Sequence, residues 1–326
     1  MNRREFVVLL GASGAAWPFA ARAQQPTKVP RIGFLRFGLA FANAGRVEAL
    51  RAGLRQLGYV EGKNITIEFR FAERIDVLRE LADDLARAGV DIIFATGSTE
   101  LEAALQATKT IPTVFATHAD PVGVGHVASL ARPGANITGL SMLLTELVAK
   151  ELEILKEAVP QATRIGVLFS PSAPSHRPAV LALETAGERL GVQLVMVPVR
   201  TVEDFEGVFS TMSREHVGGF LAVTAPIISS HRTRLADLAL KHRLPGMFAG
   251  REYVEAGGLI SYAPDVNDLT RRAATYIDKI LRGAKPADLP IEQASTYQLV
   301  INLKTAKALG LAIPPAQLAR ADEVIE

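Results

Sequence analysis

The chain has 326 residues, enough for two domains of ordinary size, of which 48 % are hydrophobic and 21 % charged. That balance excludes a disordered, collagenous or coiled-coil chain, and the absence of cysteine excludes disulfides, thiolate metal sites and a cysteine nucleophile. A formal charge of +2 leaves no electrostatic footprint for nucleic acid.

Residues 1–23 stand apart from the rest of the chain. Arg3 and Arg4 precede a stretch, 6–16, that is apolar or small apart from Ser13, and Ala21-Arg22-Ala23 has the A-x-A form of a signal-peptidase site. The stretch is too short to span a bilayer. It reads as a cleavable signal peptide, by the general route or, since Arg3-Arg4-Glu5-Phe6 loosely fits, the twin-arginine one. The mature protein is expected to begin at Gln24, periplasmic, without lipid or membrane insertion. Removal of 1–23 takes away Arg3, Arg4, Arg22 and Glu5 and leaves a neutral chain without Trp17, its single tryptophan.

From residue 29 onward short apolar runs alternate with helical patterns. The run 31–37 reads as a buried strand, and 43–57 as an amphipathic helix with Val47, Leu50, Leu54 and Leu57 on one face. Gly58 follows at a left-handed cap position. Ile65, Ile67, Phe69 and Phe71 alternate with polar residues, as in a half-exposed strand. A helix over 75–88, a buried strand over 90–96, a helix over 99–109 with a Thr99/Glu102 capping box, and a strand over 112–117 complete the first half.

The second half repeats the plan. Arg31-Ile32-Gly33 recurs as Arg164-Ile165-Gly166, Leu57-Gly58 as Leu190-Gly191, and Pro112, Phe115 and Ala116 as Pro245, Phe248 and Ala249, all at one offset. The expectation is an α/β protein of two similar, doubly wound parallel-sheet lobes; the alternative is one long doubly wound sheet. A further strand over 257–264, a helix over 265–281 and a last helix over 302–309 are too little for a third domain. They return to one lobe and then the other, giving three crossings. The expected division is 30–138 plus 260–290 for the first lobe and 139–259 plus 291–326 for the second.

In open parallel sheets ligands lie outside the carboxyl ends of the strands. Those ends carry Phe37, Thr96, Gly97, Ser98, Thr117 and Asp120 in the first lobe, and Ser170, Ser172, Thr224 and Tyr253 in the second. Gly97-Ser98-Thr99 opens a helix, whose free N–H groups favour a carboxylate or phosphate; Ser98 or Thr99 as a plain N-cap is the alternative. Asp120 is the candidate partner for an ammonium group, or else caps the next turn. Gly123-Val124-Gly125-His126-Val127-Ala128 matches a dinucleotide fingerprint in letters but does not follow a strand directly, so no cofactor is expected. The six histidines are scattered, without metal-ligand spacing. No nucleophile–base pair or carboxylate dyad emerges from the motifs, which favours binding over catalysis.

Leu57-Gly58-Tyr59-Val60-Glu61-Gly62-Lys63-Asn64 resembles a segment of the periplasmic substrate-binding proteins of ABC transporters, in the group related to tryptophan- and tyrosine-binding members. Asp120-Pro121-Val122-Gly123, Leu130-Ala131-Arg132-Pro133-Gly134, Asn136-Ile137-Thr138-Gly139, Arg251-Glu252-Tyr253-Val254 with Gly257-Gly258-Leu259, and 301–307 are similar to that family in the same order. The resemblance implies the type I periplasmic binding fold, two lobes joined by three hinge strands closing on a small solute. It implies delivery to a membrane permease driven by an ATPase, no catalysis, and a monomer. By resemblance the hinges near 138–140 and 258–261 frame the cleft, so Ser141 and Tyr262 would face the ligand. Thr224-Ala225-Pro226 departs from the family's Asp-Pro, which removes one carboxylate from the second lobe's rim. The expected ligand is a small aromatic or branched carboxylate, an amino acid or an aromatic acid, walled by Phe37, Tyr253 and Tyr262. A sensory subunit docking on a membrane receptor, and a secreted α/β enzyme, are the alternative functions.

Overall fold

The structure, a computed structural model, describes residues 28–326; the expected signal peptide lies outside them. The first half runs β1 (Arg31–Phe37), α1 (Ala44–Gln56), β2 (Thr66–Ala72), α2 (Leu78–Arg87), β3 (Ile92–Ala95), α3 (Ser98–Ala107), β4 (Thr113–His118) and β5 (Ile137–Ser141). After α4 (Leu144–Ala158) the plan repeats: β6 (Arg164–Phe169), α5 (His176–Leu190), β7 (Gln193–Pro198), α6 (Asp204–Arg214) and β8 (Gly219–Ala222). Two helices, α7 (Pro226–Ser230) and α8 (Arg232–Lys241), lead to β9 (Gly246–Phe248), α9 (Arg251–Glu255) and β10 (Ile260–Ala263). The chain ends with α10 (Val266–Leu281), β11 (Glu292–Gln293), β12 (Gln298–Asn302), α11 (Leu303–Leu309), α12 (Pro315–Leu318) and β13 (Glu323–Ile325).

Two sheets result. The first has the order β11-β5-β4-β3-β1-β2 and the second β13-β12-β10-β9-β8-β6-β7. The strands β2-β1-β3-β4-β5 and β7-β6-β8-β9-β10 occupy the same places, as the repeat predicts. The central strands read as unbroken apolar runs because helices cover both faces of each sheet. In the first lobe Leu50, Leu54, Ala273 and Ile277 pack on Phe34 and Phe94, while Leu78, Leu85 and Leu101 pack on Leu35, Ile93 and Phe115. In the second, Leu152, Leu155 and Leu183 cover Ile165 and Val167, and Phe205, Phe209 and Leu235 cover Leu168 and Phe220. One pairing departs from expectation: β12 runs antiparallel to β10, so the second sheet is mixed.

The crossings fall a few residues later than the expected 138/139, 259/260 and 290/291. β5 stays in the first sheet to Ser141, β10 at 260–263 belongs to the second, and β11 at 292–293 returns to the first. The fifth strand of each half completes its own sheet before the chain leaves it. Gly139 makes the pairing of β5 with β4 feasible: its φ is 151°, and a Cβ there would lie 1.9 Å from the Phe115 carbonyl oxygen. Helix α10 is seated on α1 at Gly53, where a Cβ would sit 2.2 Å from the Arg271 carbonyl oxygen. The neighbouring 57–64 motif has a structural role. Asn64 accepts from the Val60 N–H at 2.6 Å, donates to the Gly58 carbonyl at 2.9 Å, and Tyr59 O–H reaches Asp278 on α10 at 2.9 Å. No helix among the described residues is long and apolar enough to cross a membrane.

Candidate functional site

The carboxyl ends of the two sheets face one another across a cleft of about 620 Å³, open mouth included. Arg36, Arg46, Ser98, Glu100 and Thr117 line it from the first lobe; Ser175, Thr224, Ser229 and Glu252 line it from the second. Apolar residues fill the gaps, Met142 and four alanines, Ala119, Ala173, Ala225 and Ala249, among them. The adjoining depression shares Arg36, Arg46, Ser229, Glu252 and Val266 and forms its polar mouth.

Charges organise the first lobe's wall. Arg36 donates through Nε to Asn43 at 2.9 Å and through Nη1 to Glu100 at 3.0 Å and Thr96 Oγ1 at 3.3 Å. The same Glu100 oxygen accepts from the Phe37 N–H at 3.0 Å, so a buried ion pair locks the end of β1 to the first turn of α3. Arg46, on α1, is different: its Nη1 is inaccessible to solvent and has no hydrogen-bond partner among the described residues. Burial pushes its pKa down to about 10, helped by the Arg36 charge and opposed by Glu252 and Glu100. It remains a cation at neutral pH, with one buried N–H group unsatisfied among the described residues.

The second lobe uses backbone and small hydroxyls. His176, at the start of α5, accepts from the Ser170 N–H through Nδ1 and donates through Nε2 to the Thr224 carbonyl, both at 2.8 Å. That imidazole ties two strand-end loops together, and burial, against the pull of the Thr224 carbonyl, lowers its pKa to about 4.

Of the residues expected at the site, Gly97, Ser98, Thr117 and Thr224 line the cleft. Thr96 lies behind it, its carbonyl accepting from the Thr117 N–H at 2.9 Å and hydroxyl at 2.7 Å. The others do not line it. Both Asp120 oxygens are taken locally, by the Gly123 N–H and the Thr145 hydroxyl at 2.8 Å each, so Asp120 caps a turn. Ser141 is buried and accepts from the Leu143 N–H at 3.3 Å. Ser170 and Ser172 bond to each other at 3.0 Å, while Ser175 from the same loop reaches the cleft. The aromatic wall is absent: Phe37 lines an outer depression, Tyr253 stacks on Phe248 and Tyr262 on Tyr297. The Thr99/Glu102 capping box is not formed either; Gly97 is the N-cap and Glu102 bonds His126. The missed residues are Arg36, Arg46, Glu100 and Glu252. Arg36 had a signal, a charge at the end of an otherwise apolar buried run, whereas Arg46 lies on a helix that reads as ordinary and amphipathic.

Comparison with known proteins fits this geometry. The profile of ABC transporter substrate binding proteins matches residues 42–325. The chain belongs to that family. As a family member it has the two-lobed fold of type I periplasmic binding proteins. A tyrosine-binding protein of Clostridioides difficile is 27 % identical over 259 residues, 79 % of this chain and 74 % of the relative. A Streptococcus pneumoniae protein crystallised in complex with L-Trp shares 27 % identity and superposes with a TM-score of 0.84, covering 91 % of this chain and 99 % of the other. A ligand-free, open substrate binding protein with adhesive properties from Clostridium difficile, 26 % identical with the same coverage, superposes at only 0.66.

Proposed function

We propose that this family member is the extracytoplasmic solute receptor of an ABC import system, which closes its lobes on an α-amino acid and delivers it to the permease without chemical change. The unpartnered, buried Nη1 of Arg46 on the cleft wall carries the reading, since a buried guanidinium donor calls for a carboxylate. The N–H groups at the start of α3 add a second attraction for the same charge. The alanines of the wall leave room for a side chain, and the tyrosine and L-Trp named for two relatives make aromatic amino acids the first candidates. The better superposition on the Trp complex than on the open relative, at nearly equal identity, supports a closed arrangement of these lobes.

Titration calorimetry with L-tyrosine, L-tryptophan and a neutral monosaccharide tests this. The expected result is saturable binding of an amino acid, weakened at least tenfold in Arg46→Met by loss of a charged hydrogen bond. Tight binding of the sugar with no affinity for any carboxylate would overturn the reading.

A further inference from the structure

Three segments carry the chain between the lobes: 142–143 after β5, 264–265 after β10, and 294–297 between β11 and β12. The third is tied at both ends. On the first-lobe side the Ala294 N–H donates to the Ser141 carbonyl at 2.8 Å, and on the second-lobe side Gln298 pairs with Ala263. Residues 295–297 belong to no strand, so they are the stretch best placed to absorb a rotation of one lobe on the other.

An aromatic pair occupies that stretch. Tyr297 lies two residues before Leu299, the register partner of Tyr262, and the two tyrosines are diagonal neighbours at the end of the β10–β12 ladder. Their rings stack with centres 5.6 Å apart and planes 21° from parallel. The rings rest on different cores. Tyr262 packs on the second lobe's cluster, which includes Leu259, Ile260 and Leu299, whereas Tyr297 packs on the first lobe's, which includes Leu140, Met142 and Ala294. The Tyr297 hydroxyl donates to the Met142 carbonyl across a long 3.4 Å. The pair thus draws on all three crossings: Tyr262 adjoins the second, Tyr297 lies in the third, and Met142 is in the first. Neither ring lines the cleft, but Met142 does.

We propose that Tyr262 and Tyr297 form a clasp that favours closure of the lobes, acting as positioning residues that set ligand affinity without touching the ligand. The stack is anchored to the second sheet through β10 and β12, while the Tyr297 ring is seated on the first lobe. Rotation of the lobes about these crossings moves the seat under the ring, so the contact is made in the closed arrangement and given up on opening. Loss of the clasp lowers the closed fraction of the free protein, and apparent affinity falls with that fraction. The choice of L-tyrosine as probe rests on the amino-acid reading above; the effect on the free protein does not.

Small-angle scattering and calorimetry test the clasp separately from that reading. In Tyr297→Leu the radius of gyration of the ligand-free protein should rise, and L-tyrosine affinity should fall about tenfold. At saturation the variant and the wild type should scatter alike. Tyr297→Phe keeps the ring and loses only the hydroxyl, so both readouts should move the same way by a smaller amount. Unchanged ligand-free scattering in Tyr297→Leu would overturn the clasp, whatever happens to affinity. If Tyr297→Leu does not fold, Tyr297→Phe decides, and wild-type scattering from it would overturn the proposal. If the wild type binds no amino acid, the functional reading falls, and the ligand-free scattering still decides the clasp.

Discussion

In the first lobe His118 bonds to two side chains, His126 and Ser98; in the second, His176 bonds to two backbone groups, the Ser170 N–H and the Thr224 carbonyl. Both imidazoles are buried behind a cleft wall at the carboxyl end of a sheet. The halves share one plan, with matching strand orders, yet they differ in how polar groups are satisfied. The first lobe's wall depends on the Arg36–Glu100 ion pair and on the contact of the Glu102 carboxylate with His126, whose partners come from separate elements. The second lobe's wall depends on a neutral ring gripping main chain, and its carboxylate at the cleft, Glu252, sits at the rim on a short helix. A wall held by charges is sensitive to the loss of any one partner. A wall held by main chain is sensitive to protonation of the ring.

The largest effect should come from breaking the charged wall. Arg36→Met leaves Glu100, 1 % exposed, without its counter-charge and should cost about 3–5 kcal/mol in urea unfolding. Adding Glu100→Gln should recover part of that; no recovery would mean that Arg36 acts through packing alone. Next is Glu151 in the second lobe's core. It is fully buried, neither oxygen has a partner among the described residues, and burial pushes its carboxyl up to about 8. A raised carboxyl stabilises the folded state below its unfolded pKa near 4.5, and that stability is lost as pH rises through 8. Glu151→Leu should therefore stabilise the protein above pH 8 by up to roughly 5 kcal/mol, and an unchanged difference between pH 5 and 9 would count against a strained carboxyl.

His176 gives the opposite sign. Its folded pKa of about 4 lies below the ordinary 6.5, so the unfolded chain binds the extra proton first. Stability is complete above pH 6.5 and falls by up to about 3 kcal/mol as pH drops toward 4. His176→Gln should flatten part of that acid slope, and the remainder reports His118, whose pKa burial and the neighbouring His126 also lower. The smallest change concerns Asp120. Asp120→Ala removes a turn cap and should cost about 1 kcal/mol of stability. Ligand affinity should stay within twofold. A loss of binding much larger than the loss of stability would restore Asp120 to the site.

Much of this protein was legible along the chain. The helix and strand periods, the glycines that close α1 and α2, and the repeated triplets pointed to two α/β lobes, because burial on both faces of a parallel sheet writes itself locally as unbroken apolar runs. The rule that ligands sit at strand ends pointed to Ser98, Thr117 and Thr224, which line the cleft. The tertiary structure alone decided which polar groups remain free to meet a ligand. Asp120 and Arg46 are both ordinary charged residues in sequence; one is consumed by the Gly123 N–H and the Thr145 hydroxyl, and the other keeps a buried nitrogen without a partner among the described residues. Hydrogen-bond capacity is taken up between groups 20 to 64 residues apart, as Ser98 with His118 and Arg36 with Glu100 show, and no local pattern records those pairings.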